Sequence, residues 1–93
     1  MKKEAREIIK TILTSKEHTD VLELCLKISR AVFKAKAKRL FTKDNKSINP
    51  KLMVSLKDKL LVKGLLKRPD IDNGQLYHSL VRPVSREFLH QGL

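Results

Sequence analysis

Tryptophan is absent, tyrosine occurs once and phenylalanine three times in 93 residues. Recognition that works chiefly by stacking needs successive aromatic platforms, so stacking is not the main theme of any surface here. The lone cysteine, Cys25, excludes an internal disulfide and a cysteine-based metal cluster. Its neighbours Leu24, Leu26 and Ile28 mark it as a buried thiol suited to a reducing compartment. The only glycines, Gly64, Gly74 and Gly92, leave no room for a phosphate-cradling loop. No apolar run approaches the ~20 residues that span a bilayer. The N-terminal MKKEAREIIKTILTSKEH has neither the apolar stretch nor the small-residue cleavage site of a secretory signal. These absences predict a cytoplasmic protein with no membrane partner.

Catalytic constellations are missing as well. His18, His78 and His90 lie far apart, and none has a second imidazole or a cysteine at ligand spacing. No serine sits in a glycine-rich elbow, Cys25 has no activating neighbour, and no carboxylate pair stands out. No metal, cofactor or enzymatic activity is expected.

Acidic residues are scarce: 10 Asp and Glu face 21 Lys and Arg, a net charge of +11. The excess is concentrated. From Lys27 to Arg68 fourteen cations accompany two carboxylates, Asp44 and Asp58, for a local +12, while the flanks together come to −1. Charge carried for solubility alone has no reason to gather in this way, whereas a polyanionic partner would relieve the self-repulsion. The 41% apolar content is too high for a disordered tail, and 93 residues make one domain.

Apolar residues at Ala5, Ile8, Ile9, Ile12 and Leu13 recur at helical spacing and predict a first helix over about 3–13. Thr19 or Asp20 offers an N-cap for a second, over about 20–41. Leu22, Cys25, Leu26, Ser29, Phe33, Ala37, Leu40 and Phe41 form its expected apolar face, so Phe33 and Phe41 are read as core. Lys27, Arg30, Lys34 and Lys38 fall on one stripe of that helix, by steps of three and four. TKDNKSINP then breaks the pattern. Asn49 before Pro50, or Ser47, caps a third helix running to about residue 63, with Met53, Leu56, Leu60 and Leu61 inward. Gly64 is placed as its left-handed C-cap. Beyond it, Asp72-Asn73-Gly74 is a strong turn signal between two short extended runs. Pro69 suits a sheet edge and Pro83 closes the hairpin. Residues 84–93 are read as a frayed tail or one short helix.

The run LKDKLLVKGLLKR from Leu56 to Arg68, followed by Gly74-Gln75-Leu76-Tyr77, resembles a winged helix-turn-helix DNA-binding domain over residues 31–81. There the recognition helix ends in a Lys-Gly-Leu-Leu-like run that leads into the wing. The resemblance implies a mostly α fold, three helices plus a C-terminal β-hairpin wing; the alternative is a small helical bundle with a terminal hairpin. It also implies that Ser47, Asn49 and Lys51 lie nearest base edges. Phosphate contacts would then come from Lys34, Lys38, Lys43, Lys46 and Lys57, with Lys67 and Arg68 at the start of the wing. Lys27 and Arg30 complete the candidate surface. The long turn from 42 to 49 and the acidic wing tip, Asp70 and Asp72, depart from the usual pattern.

Lysine outnumbers arginine across this region. Lysine neutralises phosphate without selecting sequence, whereas the bidentate reader of guanine is more often arginine. The expected function is therefore backbone-driven nucleic-acid binding in a regulatory or accessory role, nucleoid-associated, with duplex DNA favoured and RNA left open. The second reading is an interaction module for an acidic protein partner. Ile8, Ile12, Phe88 and Leu93 are either core or a homodimer contact, and Tyr77 faces either the third helix or a ligand.

Overall fold

The computed structural model describes residues 2–37 and 50–91. Four helices account for most of them, and no strand occurs among the described residues.

Helix α1, Lys2–Thr14, buries Ala5, Ile8 and Ile12 at steps of three and four, with Ile9 and Leu13 half-covered beside them. Thr11 and Thr14 turn their hydroxyls back onto the carbonyls of Glu7 and Lys10, at 2.8 and 2.7 Å, a competition with the helix backbone that suits its last turn. Ser15 leaves helical geometry (φ −112°, ψ 128°), and its side chain accepts from the Glu17 N–H. It thereby caps a single 3₁₀ turn, Lys16–His18, that runs into α2, Thr19–Ala37. The start signal anticipated at Thr19 or Asp20 thus moves back to Ser15. Thr19 is itself already right-handed helical (φ −58°, ψ −36°).

The buried stripe of α2 is Val21, Cys25, Ile28 and Val32. It shares Cys25 with the expected face but is rotated from it, and Phe33, read as core, is 73% exposed. Helix α2 is apolar on two neighbouring sides. The compact β-branched set at 21, 28 and 32 takes the interior, and the bulkier Leu26 and Phe33 are left at its margin.

Helix α3, Pro50–Val62, buries Met53, Leu56 and Leu60 as its spacing predicts. Its end is a complete Schellman motif. The Leu65 N–H donates to the Leu60 carbonyl at 2.9 Å and the Gly64 N–H to that of Leu61 at 3.1 Å, with Gly64 at φ +73°. The reversal carries Leu65 and the buried Leu66 back onto the core.

No hairpin follows, and neither the wing nor the bundle with a terminal hairpin survives. The final helix, α4, covers residues 73–91 in three continuous segments: Asn73–Leu76, a wider π segment Tyr77–Val81, and Arg82–Gln91. Asp72, taken as a turn residue, is the N-cap: its backbone is extended and its Oδ1 accepts from the Gln75 N–H at 2.8 Å. Pro83, taken to close the hairpin, lies inside the helix. It has no N–H, and its ring would press on the carbonyl four residues back. The helix widens just before it, where the Arg82 N–H reaches the Tyr77 carbonyl instead of donating four residues back. The buried positions 76, 80 and 84, with 77, 81 and 85 beside them, repeat every four residues. An α-helix advances about 100° per residue, so such a stripe would drift; the wider turn keeps it facing inward.

Helix α2 is central, packing against α1, α3 and α4, while α1 and α4 also pack together. The core joins Ile8, Ile12, Val21, Cys25, Ile28, Met53, Leu56, Leu60, Leu76 and Leu80. Truncating one of the fully buried leucines to alanine costs ~2–5 kcal/mol. Among the described residues no helix is long and apolar enough to cross a membrane.

Candidate nucleic-acid interface

At about 100° per residue, Lys27, Arg30 and Lys34 project from the side of α2 opposite its buried stripe. All three are exposed, and none forms an ion pair or side-chain hydrogen bond with another described residue. The exposed Phe33 lies beside them, between Arg30 and Lys34 in the chain.

Other cations are engaged within the fold. Lys59 and Lys63 reach Asp20 at 3.4 and 3.3 Å, and Lys63 also donates to the Glu17 carbonyl at 3.1 Å. These contacts join the end of α3 to the start of α2. Burial tends to raise the pKa of Asp20, but hydrogen bonds from Lys63, the Val21 N–H and Lys59, with the charge of Lys63, outweigh it and hold the carboxyl below its ordinary value. Lys57, expected to contact phosphate, is half-buried and donates to the Ile71 carbonyl at 2.6 Å, holding down the connection to α4. Arg68 pairs loosely with Asp70 at 3.8 Å, and both remain exposed.

Of the remaining candidates, Lys51 is exposed in the first turn of α3. Lys67 is exposed in the connection between α3 and α4, with no strand beneath it. Lys38, Lys43, Lys46, Ser47 and Asn49 lie outside the described residues, as do Leu40, Phe41 and the turn from 42 to 49. The structure therefore brings Lys27, Arg30 and Lys34 onto one face and engages Lys57 with the Ile71 carbonyl.

Two further groups are buried. Tyr77, 6% exposed, meets His78 edge to face, with ring centroids 5.2 Å apart; it belongs to the buried core. Burial raises its pKa against the opposing charge of Arg82. The Cys25 thiol is fully buried and pushed up to about 12 by loss of solvation. Among the described residues no group of three or more His, Cys, Asp or Glu side chains is arranged to hold a metal ion.

The helical spacing did not reveal a shallow cleft of about 270 Å³ between α2 and α4, lined by Leu26, Ser29, Arg30, Phe33, Ser85 and Leu89. Its signal was present in the β-branched residues at 21, 28 and 32, which claim the interior and turn Phe33 outward.

No protein-family model, curated protein or solved structure matches this chain.

Proposed function

We propose that this protein binds nucleic acid, with duplex DNA as the preferred polymer, through the cationic face of α2. The observation that carries the reading is the row Lys27, Arg30 and Lys34, exposed and without an ion-pair partner among the described residues, in a segment whose local charge is +12. Side chains of this kind neutralise phosphates and release condensed counterions, which raises affinity without selecting sequence. Duplex DNA returns more than a single strand from the same cations: the salt slope per neutralised phosphate is about −0.9, against about −0.7 for single strands. A regulatory or accessory role fits a binder that covers backbone and does no chemistry on it.

The test is fluorescence anisotropy with labelled duplex DNA, duplex RNA and single-stranded DNA. Three phosphate contacts give a slope near −2.7, which is roughly a forty-fold loss of duplex affinity between about 50 and 200 mM salt. Every additional cation engaged steepens it. Lys27→Glu with Lys34→Glu should flatten the slope by about 1.8 or more. Both residues are exposed, so the fold is not at stake. A slope unchanged by the double reversal would remove this face from the reading, and weak, salt-insensitive binding to all three polymers would remove the function.

A further inference from the structure

The cleft between α2 and α4 has a chemistry of its own. Phe33 and Leu89, 73% and 64% exposed, stand on its opposite walls, and Leu26 extends the α2 wall. Ser85 lines it from α4; it is 4% exposed, and its hydroxyl has no hydrogen-bond partner among the described residues. Apolar side chains gathered in one cleft and rimmed by charge mark an interaction site, as single exposed ones do not. Leu26 and Phe33 are seven residues apart, so the α2 wall is two helical turns, about 10 Å, long. That length matches an amphipathic helix laying apolar side chains at i, i+3 or i+4, and i+7 into a groove.

Charge selects among occupants. Arg30 stands on the lip of the cleft, and Lys27 and Lys34 share its stripe. A second copy of this chain is a poor occupant: α1, α2, α3 and α4 each carry more cations than carboxylates, so none is acidic overall. A two-fold contact at the cleft would moreover set each Arg30 stripe near its own image. A phosphate backbone would satisfy the cations and leave the leucines and Phe33 uncovered.

We infer that the α2–α4 cleft receives an amphipathic helical segment of an acidic protein. Its apolar side chains pack between Leu26, Phe33 and Leu89, and its carboxylates meet Arg30, Lys27 and Lys34. This surface does not depend on nucleic-acid binding. The two share the cationic stripe, however, so an acidic helix seated in the cleft excludes the polymer.

The probe is a labelled synthetic helical peptide of about four turns, with leucine at i, i+3 and i+7 and glutamate on both flanks. Its controls are a scrambled peptide of the same composition and a version with glutamine for glutamate. Saturable binding of the ordered acidic peptide is expected, weakened at least about five-fold by Phe33→Ser and by Leu89→Ser. Both positions are largely exposed, so these variants stay folded. Neither should alter the salt slope for duplex DNA, which separates this inference from the nucleic-acid reading. No binding, equal binding of the scrambled or glutamine peptide, or affinity indifferent to both substitutions would overturn it. So would sedimentation showing that the protein dimerises and that Phe33→Ser abolishes the dimer, since the occupant would then be a second copy.

Discussion

Gly64→Ala isolates one backbone angle. The glycine is exposed, its φ is +73°, and a Cβ built on it meets nothing within 4 Å. Steric collision therefore adds nothing, and only the left-handed conformation opposes the substitution. For an L-residue that conformation costs roughly 1–2 kcal/mol. The unfolded chain, less free with alanine than with glycine, returns about 0.4–1 kcal/mol. The net expectation is a loss of around 1 kcal/mol. It reads as an earlier urea midpoint with an unchanged slope, or as a fall in Tm of about 4–8 °C for a domain of this size. Asparagine, which tolerates left-handed geometry, should fall between glycine and alanine. Valine should be worse than alanine, because its branched Cβ suits positive φ least. An alanine variant as stable as the parent, or a series without the order Gly, Asn, Ala, Val, would refute the argument that this angle closes α3 and returns Leu65 and Leu66 to the core.

Asp72→Ala should lose about 1 kcal/mol in the same denaturation assay, because the Gln75 N–H loses its acceptor at the start of α4; a neutral result would count against the cap. Ser85→Ala should be neutral or stabilising by up to about 1 kcal/mol, since it removes a buried hydroxyl without a partner among the described residues, and a marked loss would reveal an interaction that the geometry lacks. Asp20, held below its ordinary pKa, contributes stability that is present at neutral pH and lost as pH falls below the ordinary carboxylate range and through its lowered folded value. Stability followed into acid should therefore decline less steeply in Asp20→Asn than in the parent. Asp20 and Lys59 are exposed and Lys63 is half-buried, so added salt should shrink the difference.

Helices α1 and α3 were legible because their signals are local and agree: apolar spacing in both, and for α3 a proline in the first turn and a glycine past the last. The face of α2 was legible only in part. Both Leu26 with Phe33 and Ile28 with Val32 lie at helical spacing, and periodicity alone does not say which of two adjacent apolar sides a neighbouring helix will cover. The last third was misread for a sharper reason. Asp72-Asn73-Gly74 and Pro83 carry strong short-range turn signals, and both are used differently once α4 has α1 and α2 to pack against. Aspartate serves as a cap as readily as it serves in a turn, and a proline is tolerated where the helix before it widens. The four-residue repeat of buried positions along α4 fits neither of the two periods that a sequence is scanned for. At the candidate interface, the cationic stripe followed from spacing. The withdrawal of Lys57 into a bond with Ile71 did not, because it depends on where a connection fourteen residues away comes to rest.

The sequestered thiol of Cys25 has a practical consequence. A thiol reacts as thiolate; with its pKa near 12 and no exposure to solvent, this one is closed to alkylating and disulfide reagents while the helices remain assembled around it. Because it is the chain's one cysteine, every event of modification marks an opening of α2 away from its neighbours. The native protein thus carries a single-site clock for its own breathing, readable at neutral pH without denaturant, label or engineered probe.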